Sequence, residues 1–191
     1  MKFSINLHDL LTGLRVVEQA VDRNSTYPIL RGFLLATDGA DLTVVGTDLL
    51  TYAVWKVPGT FTNALPMMGV VVEYSILEML NTLEPNGLDL IIEVKEDHLR
   101  VCHGANAYTF STLPGGEFPV RPVITHKPRG IIINYPSVVQ KFVNHEQLTM
   151  PEKAKEAANR ALMSQNGTVT LTIGKHIAII EGDCFAIIAN L

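Results

Sequence analysis

Gly69-Val70-Val71-Val72-Glu73-Tyr74 returns further along the chain as Gly130-Ile131-Ile132-Ile133-Asn134-Tyr135. Each copy is a short β-branched run, which favours a strand. Each leads into apolar residues at helical spacing: Ile76, Leu77, Leu80 and Leu83 after the first, Val138, Val139, Phe142 and Val143 after the second. Asn86-Gly87 ahead of a strand at 88–94 is answered by Asn166-Gly167 ahead of 169–173. His98-Leu99-Arg100-Val101 is answered by His176-Ile177-Ala178-Ile179, and Gly104 and Gly182 each precede one more strand, at 107–113 and 184–191. The later matches lie further apart than the earlier ones, so the last copy carries an insert, placed within 146–165.

The opening of the chain has the same order. Phe3-Ser4-Ile5 reads as a strand, and Asn6 is a helix cap with Asp9 near the positive end of the dipole. Leu7, Leu10, Leu11, Leu14, Val17 and Val21 trace one apolar stripe. Strands at 30–36, 42–47 and 51–57 follow, with Asp38-Gly39 as a hairpin turn. Three units of strand, helix and three strands are therefore expected, in a two-layer α+β arrangement. Two units side by side make one continuous sheet backed by two helices. A third is left without an intramolecular partner, and its open edge predicts oligomerisation.

Composition narrows the classes. With 47% apolar and 18% charged residues the chain is globular, and a net charge of -4 argues against coating nucleic acid through bulk charge. Cys102 and Cys184 match neither a disulfide framework nor a metal cluster and read as reduced thiols. No targeting segment and no apolar run of membrane length is seen, so a soluble cytoplasmic protein is expected. His8, His98, His103, His126, His145 and His176 show no metal-ligand spacing, no phosphate-cradling glycine loop appears, and no nucleophile has a base nearby. No catalytic residue, metal or cofactor is expected.

Met1-Lys2-Phe3, Tyr27-Pro28-Ile29-Leu30, Gly46-Thr47-Asp48-Leu49 and Ser111-Thr112-Leu113-Pro114-Gly115-Gly116-Glu117-Phe118-Pro119 occur in this order across residues 1 to 120. Together they resemble the first domain of the bacterial DNA polymerase III β subunit, the sliding clamp. The resemblance implies a DNA-clamp fold, with helices lining a central hole and sheets forming the outer wall. It also implies a first domain at 1–122 and a third unit at 123–191 that is similar to the second half of a later clamp domain. Four chains of three units would fill a ring of twelve, which favours a tetramer, with a dimer as the alternative.

A clamp needs a basic lining that touches phosphates without reading bases. Arg15, Arg23 and Asn24 from the first helix and the loop after it, Lys141 from the third helix, and Lys153, Lys155 and Arg160 from the insert are the candidates, against the alternative that they are solvated surface charges. The second helix is expected to carry Glu73, Glu78 and Glu84 with no Lys or Arg, which counts against DNA. Residues 151–163 read as a short helix, Pro151 in its first turn and Thr149 as its cap, whose alanine face docks only lightly, as a flap or a contact for a partner. The resemblance further implies a peptide pocket at the last strand, where Ile187, Ile188 and Leu191 match, though core packing is the favoured role for these residues. Its implied partners are duplex DNA, DNA polymerase and other clamp-binding proteins, and a clamp loader. The expected function is a processivity factor that encircles DNA; the alternative is a clamp-like interaction protein that regulates or mimics a full clamp without encircling DNA.

Overall fold

The computed structural model describes residues 2–37, 39–62, 67–84, 87–95, 97–119, 131–133, 143–144, 150–164, 169–173 and 177–190. β1 (Lys2–Ile5), α1 (Leu7–Val17), β2 (Gly32–Thr37), β3 (Asp41–Thr47) and β4 (Thr51–Thr62) form a first unit. β5 (Met67–Glu73), α2 (Ser75–Leu80), β6 (Leu90–Val94), β7 (His98–His103) and β8 (Asn106–Pro114) form a second. β9 (Ile131–Ile133), α3 (Glu152–Met163), β10 (Val169–Ile173), β11 (Ile177–Glu181) and β12 (Phe185–Asn190) belong to the third. The helix expected over Val138, Val139 and Phe142 lies outside the described residues, as do Asp38 of the expected turn and Thr149.

Local chemistry sets the boundaries. The Asn6 side chain accepts from the His8 N–H at 2.9 Å and starts α1. β2 begins at Gly32 because Pro28, Ile29 and Leu30 form one tight turn, closed by the Arg31 N–H on the Pro28 carbonyl at 3.1 Å. α2 is short: the Thr82 hydroxyl and N–H both bond the Met79 carbonyl, at 2.7 and 2.9 Å, and end the helix there. Only Glu78 of the three expected acids therefore sits in α2, since Glu73 ends β5 and Glu84 lies past the helix.

The pairing pattern is antiparallel throughout. Each of the first two units returns its last strand to its own first strand, β4 to β1 and β8 to β5. Each also lends its first strand to the other unit's second strand, β1 to β6 and β5 to β2. Eight strands thus close a circuit, β1-β6-β7-β8-β5-β2-β3-β4, back to β1. The third unit is not left unpartnered, as unit counting alone suggests. Its β12 pairs with β4 over residues 51–55, while β1 takes residues 59–62 of the same strand. β9 pairs with its own unit's β10 and is the last strand of the sheet among the described residues.

The helices cover one face. Phe33, Leu42, Val44, Ala53, Trp55, Val57, Phe185 and Ile187 point into the main core beneath them. Gly13 lets α1 lie on β4: a Cβ there would stand 2.7 Å from Cδ1 of Trp55. The Trp55 ring stacks on Phe185 with centroids 5.9 Å apart, joining the first and third units. On the other face Leu34, Val45, Tyr52, Val71 and Phe118 form a second, smaller cluster.

The insert does not dock lightly. Ala154, Ala157, Ala158 and Ala161 are fully buried and Leu162 is 4% exposed, all within the main core. α3 packs on α1, β4 and β12, and Asn159 exchanges two side-chain hydrogen bonds with Asn144, at 3.0 and 3.3 Å. Alanine gains little per residue, but its small size lets the backbones approach closely along a whole helix face. Replacing Ala158 by leucine overpacks this contact and costs about 1–3 kcal/mol. Urea denaturation of Ala158→Leu checks this, with a lowered midpoint at unchanged slope expected; an unchanged midpoint contradicts the docking.

Candidate nucleic-acid interface

The exposed sides of α1, α2 and α3 form the surface on which most of the expected phosphate contacts fall. Arg15, in the last turn of α1, donates to Oδ1 of Asn81 at the end of α2, at 2.6 Å. Arg160 on α3 reaches the same region, donating to the Arg15 carbonyl at 3.1 Å and to Oε1 of Glu18 at 2.6 Å. Arg23 lies over the ring of Tyr74, 3.4 Å from its centroid, bonds its hydroxyl, and sits 3.4 Å from Oε2 of Glu18. Tyr74 in turn donates to Oε2 of Glu18 at 2.5 Å.

Glu18 is therefore a junction. Its side chain is 13% exposed and binds residues from all three units: Arg23 of the first, Tyr74 of the second and Arg160 of the third. Glu18 and Asn81 carry no mark in the sequence, where Tyr74 stands out only as part of the repeat. No local signal marks a residue whose partners lie 56 and 142 positions away.

The other candidates are less engaged with the core. Lys153 pairs with Asp48 at 3.3 Å and Lys155 with Glu152 at 3.8 Å. Each pair keeps one exposed partner, Lys153 and Glu152, while Asp48 and Lys155 are largely covered. Asn24 is exposed, with its N–H on Asp22 Oδ1 at 3.3 Å. Lys141 lies outside the described residues. Charge on the helices balances: Asp9, Glu78, Glu152 and Glu156 match Arg15, Lys153, Lys155 and Arg160, so the three together carry no net charge.

Of the expected peptide positions, Ile187 is fully buried opposite Ala53 and has no surface to offer a peptide. Ile188 is half-buried on the far face, against the cluster of Tyr52 and Val45, and Leu191 lies outside the described residues. Among the described residues no group of three or more His, Cys, Asp or Glu is placed to hold a metal ion, and no helix is long and apolar enough to cross a membrane.

Burial, then the hydrogen bond and negative charge of Glu18, push the Tyr74 phenol from its usual value near 10 up to about 12, against the opposing pull of Arg23. A pKa raised on folding means the neutral phenol's contribution is whole below pH 10 and is lost as pH climbs through 12. Difference titration of the protein against Tyr74→Phe by ultraviolet absorbance should show one late tyrosine, moving to lower pH in Glu18→Gln. The same Glu18→Gln change should lower stability by about 1–3 kcal/mol, because it weakens charge-assisted bonds to two arginines. Additivity of Glu18→Gln with Arg160→Ala in a double-mutant cycle contradicts the junction.

A family model described as DNA polymerase III beta subunit, N-terminal domain, matches residues 1–122. The chain is 33% identical over 126 residues to a beta sliding clamp of Pseudomonas aeruginosa, across 62% of this chain and 32% of that one. It is 28% identical over 119 residues to the beta sliding clamp of Escherichia coli K12, with the same coverage. The crystal structure of the DNA polymerase III subunit beta from Pseudomonas aeruginosa superposes with a TM-score of 0.83 at 21% identity, covering 100% of this chain and 64% of that one. The Thermotoga maritima beta subunit gives 0.82 at 15% identity, covering 99% and 64%. At these identities the structural likeness shows the fold alone. The matched segment spans about a third of the length of the curated relatives. With residues 1–122 matched by that family model and the fold shared, the chain belongs to the DNA polymerase III beta subunit family.

Proposed function

We propose that this chain acts as a sliding-clamp-like processivity factor, in which several copies close a ring around duplex DNA and tether the replicative polymerase. The observation that carries the reading is one layer of three helices on one face of a continuous twelve-stranded sheet, in a member of a family whose relatives are named beta sliding clamps. In this reading residues 1–122 are a first clamp domain, and residues 123–191 are half of a domain that a second copy completes. Four copies supply twelve units. The protein works without catalysis in the cytoplasm, a clamp loader opens the ring, and the polymerase and other clamp-binding proteins use its outer surface. Ile188, which keeps some accessible surface on the last strand, is the peptide contact this reading retains.

The mechanism is topological. A closed ring holds its cargo on DNA even where each phosphate contact is weak, so a helix surface without net charge suffices. Arg15, Asn24, Lys153, Lys155 and Arg160 touch phosphates in passing, with Lys141 as a further contact; Arg23, stacked on Tyr74, contributes mainly by holding the loop after α1. That same neutrality favours a second reading, a clamp-like interaction protein that regulates a full clamp without encircling DNA.

Retention on nicked circular DNA, compared before and after linearisation, tests the choice. An encircling ring survives moderate salt on the circle and slides off the cut ends. Arg15→Glu should weaken residual DNA association and lower the slope of log K against log salt by about 1. Binding that is equal on circular and linear DNA, or absent on both, contradicts encirclement and favours the regulator.

A further inference from the structure

Glu18 caps the C-terminal end of α1, where the helix dipole disfavours a negative charge and favours a positive one. A carboxylate placed there costs α1 stability unless donors answer it, and four do. Gln19 Nε2 and Arg160 Nη1 donate to Oε1 at 3.2 and 2.6 Å. The Tyr74 hydroxyl and Arg23 Nη2 donate to Oε2 at 2.5 and 3.4 Å.

The carboxylate is sunken and its cations are not. The Glu18 side chain is 13% exposed, whereas those of Arg160 and Arg23 are 46% and 53% exposed. Among the described residues Arg160 is held through Nη1 alone, which also bonds the Arg15 carbonyl, so its Nε and Nη2 have no protein partner there. An oxyanion set against guanidinium N–H groups is also how arginine holds a phosphate. Arg15 differs: its described side-chain partner is the neutral amide of Asn81, so no acid answers its charge.

We propose that Glu18 sets the strength of the helix layer's grip on DNA by standing in for a phosphate at Arg160. A backbone phosphate of duplex DNA and the Glu18 carboxylate then compete for one guanidinium group. Each phosphate contact at Arg160 is made only by giving up a charge-assisted bond within the chain. Arg15 meets phosphate without that loss. The exchange keeps the surface from fixing on any one phosphate, which suits a ring that slides. Arg23 takes little part, because the Tyr74 ring lies 3.4 Å beneath it whatever Glu18 does. The inference rests on the DNA-encircling reading above and names the residue that limits its contact with phosphate.

Association with a short linear duplex, followed by fluorescence anisotropy across about 50–200 mM salt, reads phosphate contact without encirclement. Glu18→Gln keeps the side chain's shape. It should tighten binding and steepen the slope of log K against log salt by about 1, as one further phosphate contact does. Glu78→Gln is the control: it removes the same charge from α2 in the same layer, where no described ion pair holds Glu78, and should change the slope far less. Adding Arg160→Gln to Glu18→Gln should bring the slope back close to the wild-type value. Each variant is compared at a temperature where its circular dichroism is native. Should Glu18→Gln not fold, the wild-type background carries the same test, with Arg160→Gln lowering the slope less than Arg15→Gln does. A Glu18→Gln slope no steeper than that of Glu78→Gln, or equal losses from Arg160→Gln and Arg15→Gln, overturns the role of Glu18 and leaves the DNA reading standing. Absence of association by both the wild type and folded Glu18→Gln overturns the two together.

Discussion

The edge of β4 that faces away from β3 is shared by two strands, and the arrangement of all three units depends on that division. β1 holds residues 59–62 and closes the circuit of the first two units. β12 holds residues 51–55 and fastens the third. The length of β4, 12 residues, is enough for both because each partner needs only four or five. The stack of Trp55 on Phe185 and the approach of Gly13 to Trp55 then fix where α1 lies over the seam. Glu18 joins the same three units from the helix side through Arg23, Tyr74 and Arg160.

Strand pairing and helix packing divide the work between directional and non-directional forces. Backbone pairing along β4 specifies register, since a slip of one residue would turn Trp55 and Val57 out of the core. Burial of the alanine face of α3 supplies area without imposing a register. The polar contacts of Glu18, Asn81 and Asn144 then select one placement among several that burial alone would allow.

Much of this order is legible in the sequence because strands and helices announce themselves by period. The repeat of Gly69 to Tyr74 at Gly130 to Tyr135 locates β5 and β9, and Asn6 locates the start of α1. What the sequence hides is tertiary. Ala154, Ala157, Ala158 and Ala161 read as weakly apolar, yet their smallness is what admits close helix contact. The reach of α2 is overestimated because the end set by Thr82 is a local hydrogen-bond choice, not a change of pattern. Pairing of β12 with β4 joins strands far apart in the chain and leaves no trace in either strand alone. For the site, the arginines and lysines are visible in the sequence, whereas the acids and amides that hold Arg15, Arg23 and Arg160 emerge only from the fold.

Whether this three-unit chain completes itself with further copies of itself is the question on which the functional reading turns. Light scattering on the wild-type chain across a range of concentrations tests it most directly. Self-completion predicts a mass four times the 21.0 kDa of one chain. A mass of 21.0 kDa at every concentration contradicts it.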